Sequence, residues 1–348
     1  MKAAVLYGKE DIRYTEWTEP RLRPGCVKVQ VKACGICGSD IPRVLGDGAH
    51  FYPIVLGHEF SGIVTEAAED TDNIRIGDHV AGIPLLPCME CADCLTGSYS
   101  QCRHYSFIGS REQGAFAEYV VLPARNVIQI DERIPFEQAA MFEPCTVALH
   151  GLKVSGYQGG QTVAILGGGT VGLFALQWAK LYGARQTVVL GRSKEHLAVA
   201  SAAGADHVVS TREDQFFEQA MKLTKGHGYD YVYETAGSTE TMKLAFKLAA
   251  NRGHVCFIGT PTEDLCFSPG LWEQLNRKEF SLTGSWMSCS APFPGTEWSE
   301  TAHFFETGKI RVVPGMIHAR YSFREVEAAF KEFKTHGNVR GRMMLIHG

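Results

Sequence analysis

Three side chains set far apart along the chain could share one reactive metal ion. Cys37, in Cys34-Gly35-Ile36-Cys37-Gly38-Ser39-Asp40, offers a thiolate, and His58, in Gly57-His58-Glu59-Phe60-Ser61-Gly62, an imidazole. Glu143, in Phe142-Glu143-Pro144, offers a carboxylate, with Glu59 as a second acid beside the histidine. Sulfur, nitrogen and oxygen ligands of this kind suit a zinc ion that keeps one coordination position open for water or substrate. Taken singly each has a plainer reading: a core cysteine, a hydrogen-bonded buried histidine, a surface carboxylate. A second set is compact. Cys88-x2-Cys91-x2-Cys94-x7-Cys102 lets one loop wrap a tetrahedral zinc with every position filled, a closed and structural site. A nucleic-acid-reading finger is disfavoured by the acidic chain and the few cations inside the loop, and free buried thiols by the spacing itself.

A third constellation binds phosphates. Gly167-Gly168-Gly169-Thr170-Val171-Gly172 follows an apolar strand and opens an apolar helix, which is the context that gives G-x-G-x-x-G its meaning. Gly167 makes the tight turn, Gly169 lets the backbone approach a pyrophosphate, Gly172 lets helix and strand pack, and the helix start at Thr170 and Val171 faces the phosphates. The acid that would bind a ribose 2′-hydroxyl is missing from the end of the next strand, which reads Leu190-Gly191-Arg192-Ser193-Lys194. Arg192, Ser193 and Lys194 instead offer cations and a hydroxyl suited to a 2′-phosphate, so NADP(H) is expected over NAD(H). The alternative is a solvated arginine stacking on adenine in an NAD enzyme.

These groups need two frameworks. The 348 residues exceed what one core usually serves, and 45% hydrophobic with 21% charged residues is ordinary globular composition. Residues 1–150 are glycine-rich with short alternating runs such as Val27-Lys28-Val29-Gln30-Val31, which fit half-buried strands. Residues 151–285 carry six buried-type strands, at 162–166, 187–190, 207–209, 231–233, 254–258 and 280–283, alternating with helical stretches such as 173–181, 197–203 and 239–250. That alternation predicts a doubly wound parallel sheet, an α/β (Rossmann) cofactor domain. A net charge of −4 gives no cationic field for nucleic acid, and no apolar run approaches a membrane span. The start of the chain has one short apolar run, at 3–7, and no signal-peptide core. With eleven cysteines, four of them crowded into one loop, a reducing cytoplasmic setting is expected. The last sheet strand, at 280–283, offers an edge to a twin, so a homodimer or homotetramer is expected.

Gly57-His58-Glu59, Cys37-Gly38-Ser39-Asp40, the four-cysteine loop and the glycine fingerprint together resemble the zinc-containing medium-chain dehydrogenase/reductase family over essentially the whole chain. Cys37-Gly-Ser-Asp-Ile-Pro-Arg43, Gly48-Ala-His-Phe-Tyr-Pro53, Phe107-Ile-Gly-Ser-Arg111, Gly284-Ser-Trp-Met287 and Pro294-Gly-Thr-Glu-Trp298 resemble its branch acting on polyols and polyol phosphates. The resemblance implies a mainly β, GroES-like catalytic domain at 1–150, a cofactor domain at 151–285, and a return to the catalytic domain at 286–348. It implies two zinc ions per chain, the catalytic one on Cys37, His58 and Glu143 with Glu59 as an exchanging ligand. The open zinc position then acidifies a secondary hydroxyl, and hydride leaves the carbinol carbon for a nicotinamide. Ser39 stands where relatives use a hydroxyl to relay the alcohol proton; a serine in a plain turn is the alternative. Arg43, His50 and Arg111 are candidates to hold a substrate phosphate, and Trp286 and Met287 to line the substrate mouth, though solvated or packing roles suit all five. The relatives carry an acid where this chain has Gly191. An unphosphorylated alcohol as substrate, or a binding protein on the same fold without turnover, are the competing readings.

Overall fold

The computed structural model describes residues 1–71, 73–335 and 339–347. The chain divides into two compact units, one formed by Met1–Glu143, Ser288–Val312 and Ile317–Gly348, the other by Pro144–Met287 and Val313–Met316.

The first unit is built on a seven-stranded sheet whose spine is the long strand Cys26–Ile36. On one side this strand pairs antiparallel with Glu59–Ala67; on the other it pairs with Tyr119–Pro123 through its first half and with Arg342–Ile346 through its last residues, Ala33–Ile36. The tail therefore supplies a sheet strand beside the segment that leads into Cys37. Pairing on both edges buries the spine more fully than alternation suggests. Lys28, at a polar position of the expected pattern, is itself buried, its Nζ held by Glu19 at 2.8 Å and Glu66 at 2.6 Å. Val27, Val29, Val31, Phe60, Phe116 and Phe330 lie in the core packed against this sheet.

The second unit is a six-stranded sheet, parallel throughout, in the order His207–Ser210, Gln186–Gly191, Thr162–Leu166, Tyr229–Glu234, Ala249–Phe257, Ser281–Gly284. Strand order reverses between Thr162–Leu166 and Tyr229–Glu234, the point at which open parallel sheets take ligands at their carboxyl ends. The helix Thr170–Leu181 follows the first of these strands directly and buries Leu173, Phe174, Leu176 and Trp178. One boundary differs from the sequence reading. The helix expected to reach 250 stops at Leu248, and the strand expected at 254 starts at Ala249, opposite Tyr229. A register shift then takes up Arg252, at φ +58°, before His254 pairs with Tyr231. The irregularity hides the strand's first half from a pattern search.

Candidate active site

Cys37 leaves the spine strand into a tight turn. Its N–H donates to Asp40 Oδ2 at 3.0 Å, the Asp40 N–H donates to the Cys37 carbonyl, and the Ser39 N–H reaches Cys37 Sγ at 3.5 Å. The turn runs into the short helix Ile41–Leu45. Glu59 opens the neighbouring strand, opposite Gly35, and His58 immediately precedes it. A Cβ at 35 would stand 2.5 Å from Glu59 Oε2, so a side chain there would displace the Glu59 carboxyl. Gly57, at φ +95°, would drive a Cβ into the Phe116 ring. Two glycines thus let strand and turn close around the ligands.

The result is a group in which one donor atom each of Cys37, His58 and Glu59 lies within 4.8 Å of the others. Asp40, fully buried, places Oδ1 3.7 Å from His58 Nδ1, and the Phe107 ring meets the imidazole edge-on at 5.4 Å. Glu143 is not one of this trio but acts on it electrostatically. Half-buried as a residue, it has an enclosed carboxyl: burial pushes it up to about 8, with Glu59 and Cys37 adding to the rise and His58 and Arg342 opposing it. The Cys37 thiol is pushed up to about 12, by burial first and then by Glu59. Glu59 Oε1 has no hydrogen-bond partner among the described residues. A carboxyl (Glu143) and a thiol (Cys37) that burial holds protonated, beside the imidazole of His58 and the buried acid Glu59, fit a divalent cation, which would stabilise the charged forms of its ligands.

Sequence reasoning missed Arg342. It opens the returning strand, is 9% exposed, donates from Nη1 to the Ile36 carbonyl at 2.9 Å, and sets Nε 3.0 Å from Glu59 Oε2. Its only sequence signal is an arginine at the head of an apolar run, which says nothing about the partner.

Around the trio, Arg43 Nη1 donates to the Ser39 carbonyl at 2.6 Å and to Ser39 Oγ at 2.9 Å, and lies 3.6 Å from Asp40 Oδ1. His50 keeps exposed surface, yet its pKa is lowered by partial burial and then by the Arg111 and Arg43 charges, which keeps the imidazole neutral and places it in one neighbourhood with the two arginines. Arg111 also lies over the Tyr105 ring at 4.7 Å. Trp286 belongs to the other unit and is 51% exposed.

The four cysteines of the compact loop meet. Their Sγ atoms stand 3.9 Å apart for Cys88 and Cys94, 3.9 Å for Cys91 and Cys102, and 3.5 Å for Cys88 and Cys102. Sulfurs around a tetrahedral zinc at about 2.3 Å sit ~3.8 Å apart, whereas a disulfide needs about 2.0 Å. Backbone N–H groups of Cys94 and Arg103 pull the Cys91 thiol down to about 6. The loop rests on the segment after 288: Ser100 Oγ donates to the Cys289 carbonyl at 3.4 Å, and Tyr99 meets Phe293 edge-on at 5.3 Å.

In the second unit the fingerprint glycines separate by cause. Gly167 stands at φ +112°, and a Cβ on Gly172 would collide with the Gly167 carbonyl. Gly169, the cap residue before Thr170 and Val171, has nothing within 4 Å of its would-be Cβ. The backbone there leaves open space beside a helix N-terminus, which fits a pyrophosphate. Gly191 ends its strand with Arg192 and Lys194 exposed, while Ser193 caps the helix Lys194–Ala202 by accepting from the His196 N–H at 3.2 Å.

Known proteins agree with this architecture. Residues 23–132 match the family described as alcohol dehydrogenase GroES-like domain, and residues 170–306 that described as zinc-binding dehydrogenase. The chain is 37% identical to galactitol 1-phosphate 5-dehydrogenase of Escherichia coli K12, across 99% of its own length and 100% of the relative's. The crystal structure of galactitol-1-phosphate dehydrogenase from Escherichia coli superposes with a TM-score of 0.95 at 36% identity, covering 100% of both chains. A Sinorhizobium meliloti protein assigned as a zinc-binding dehydrogenase and solved with NADP superposes with a TM-score of 0.89 at 30% identity, over 99% of each chain. Among the described residues no helix is long and apolar enough to cross a membrane. With a mainly β zinc-family domain, a parallel-sheet cofactor fold and end-to-end similarity to a polyol phosphate dehydrogenase, this chain belongs to the zinc-containing medium-chain dehydrogenases and is an oxidoreductase acting on the CH–OH group of an alcohol or polyol.

Proposed function

We propose that the chain oxidises a secondary hydroxyl of a polyol phosphate of the galactitol 1-phosphate kind to the ketose phosphate, passing hydride to NADP. The observation that carries this reading is the convergence of Cys37, His58 and Glu59 within 4.8 Å, next to Ser39, the cations Arg43 and Arg111, and His50. Cys37, His58 and a carboxylate from Glu59 or Glu143 would hold one zinc, and Cys88, Cys91, Cys94 and Cys102 a second. Zinc bound at the first set supplies a Lewis acid that lowers the pKa of a substrate hydroxyl.

The chain's own groups do the rest. Asp40 holds the Cys37 backbone and places Oδ1 3.7 Å from His58 Nδ1, where it would orient the imidazole as a ligand. Ser39 Oγ accepts from Arg43 with one lone pair and keeps a second lone pair and its proton. A substrate proton can therefore enter on the free lone pair as the serine's own proton passes to solvent, to which Ser39 is exposed. Arg43 and Arg111 supply positive charge, and His50 a ring N–H donor, for a phosphate away from the reacting carbon. The glycine turn and helix start at Gly167–Thr170 take the pyrophosphate, and Arg192, Ser193 and Lys194 the adenosine end. The exposed edge of Ser281–Gly284, outermost in its sheet, supports association with a second copy, and the thiol-rich metal loop supports a reducing cytoplasmic setting.

A second reading, an unphosphorylated sugar alcohol as substrate, is favoured by one contact: Arg43 already spends Nη1 on Ser39. A panel of polyols and their 1-phosphates, each with NADP and NAD, decides between them. Higher kcat/KM on phosphates with NADP is expected; equal or better turnover of free polyols sinks the phosphate assignment, and turnover of none sinks the enzyme itself.

A further inference from the structure

The strand that ends at Gly191 has an outer neighbour, His207–Ser210, running parallel to it with Gly191 opposite Ser210. Residues following the two strands therefore leave the sheet side by side. The backbone fixes them there: the Thr211 N–H donates to the Gly191 carbonyl at 2.9 Å, and the Arg212 N–H to Ser210 Oγ at 3.4 Å. Arg212 is exposed, as are Arg192 and Lys194, and none of the three side chains makes an ion pair or hydrogen bond among the described residues. The acid next in line, Glu213, accepts from Gln219 Nε2 at 3.1 Å.

Two further observations point to an anion at this place. A Cβ on Gly191 would meet nothing closer than Leu197 Cδ2 at 3.5 Å, so the chain's own packing does not demand the glycine. The Ser193 hydroxyl, moreover, is already committed: it accepts from the His196 N–H at 3.2 Å and donates to Glu195 Oε2 at 2.7 Å. With a carboxylate tied to the serine, the 192–194 turn alone is a weak phosphate site, and cations from a second strand are needed to outweigh Glu195.

We infer that Arg212 is a specificity-determining residue for the cofactor: with Arg192, from the adjacent strand end, it forms a two-strand clamp for the 2′-phosphate of NADP. This rests on the reading of the chain as a nicotinamide-dependent dehydrogenase. A guanidinium matches a phosphate with two parallel N–H donors, and two of them from different strands grip it from two directions. NAD, with a hydroxyl in that position, gains little from either.

The test is equilibrium binding of NADPH and NADH to the zinc-loaded full chain, followed by nicotinamide fluorescence, for the unaltered protein, Arg212→Gln, Arg212→Lys and Arg192→Gln. Arg212→Gln is expected to raise the Kd for NADPH about ten-fold, the size of one lost charge-assisted contact, and to leave the Kd for NADH unchanged. Arg212→Lys should recover part of the loss, and Arg192→Gln should act in the same direction. An unchanged NADPH Kd in Arg212→Gln overturns the inference, and so does a parallel rise for both nucleotides, which would mean general damage to the loop. If the unaltered chain binds neither nucleotide, the dehydrogenase reading falls, and the clamp with it.

Discussion

Replacing Arg342 by methionine tests whether the buried pair beneath the metal site is built as described. Arg342 is 9% exposed and Glu59 is fully buried, so the variant leaves a carboxylate in the interior facing a thioether instead of a guanidinium 3.0 Å away. It also frees the Ile36 carbonyl, which accepts from Arg342 Nη1. Removing one partner of a buried ion pair costs about 3–5 kcal/mol, because the remaining charge stays desolvated. At roughly 2–4 °C per kcal/mol for a unit of this size, Tm should fall by about 6–20 °C. Zinc changes the balance in a diagnostic way: with the guanidinium gone, Glu59 becomes a better ligand, so added zinc should raise Tm more in the variant than in the parent. Converting Glu59 to methionine as well removes the orphaned charge, and the double variant should recover most of the lost stability. Thermal and urea unfolding at fixed free zinc measure all three proteins. A loss below about 1 kcal/mol for Arg342→Met, or a double variant less stable than the single one, would refute the account of this pair.

Cys94→Ser should lower bound zinc from two ions to one and, by loosening the loop that rests on Cys289 and Phe293, reduce Tm by roughly 10 °C; metal analysis still finding two ions would contradict the four-thiolate assignment. Gly172→Ala forces a methyl against the Gly167 carbonyl and should weaken nucleotide binding by ~10-fold through about 1–3 kcal/mol of overpacking, with zinc content unaltered. Ser39→Ala should slow alcohol oxidation about 100-fold while both zinc ions stay bound, and unchanged turnover rules out the relay. Burial pushes Glu143 up to about 8 and Cys37 up to about 12, so below these values both hold protons that zinc must displace. Zinc affinity at this site should therefore fall as pH drops below about 8, and a flat profile in chelator competition would show that neither group is a ligand.

What the sequence disclosed follows from how local each signal is. The glycine turn, the four-cysteine loop and the Cys37 turn are short segments whose spacing carries their chemistry, and strand and helix periods could be read around them. Arg342 could not be found this way, because its role depends on the register that sets Met343 opposite Ile36, across nearly the full length of the chain. The same holds for Lys28: a polar residue in an alternating strand reads as solvent-facing until Glu19 and Glu66 are seen to cover it. The Arg43 contact with Ser39 was within reach, since the two residues are four apart at a helix start, but an arginine after Ile-Pro offers many equivalent readings until the turn is built. Glu59 and Glu143 were both visible as acids; only the strand pairing that puts Glu59 against Gly35 brings Glu59 into the trio.

The glycines show most clearly what structure adds to pattern. A fingerprint treats its glycines as equals, yet here they answer to different demands. Gly172 is required by a neighbouring carbonyl and Gly167 by a positive φ, so both would be needed even if no nucleotide were ever bound. Gly169 and Gly191 meet neither demand: the first opens onto empty space, and the second has room for a side chain at ordinary contact distance. Where nothing inside the chain asks for a glycine, the reason for it lies outside the chain, in what approaches the backbone. At Gly169 a helix start marks that visitor as anionic, and at Gly191 the exposed guanidiniums following two adjacent strands do the same.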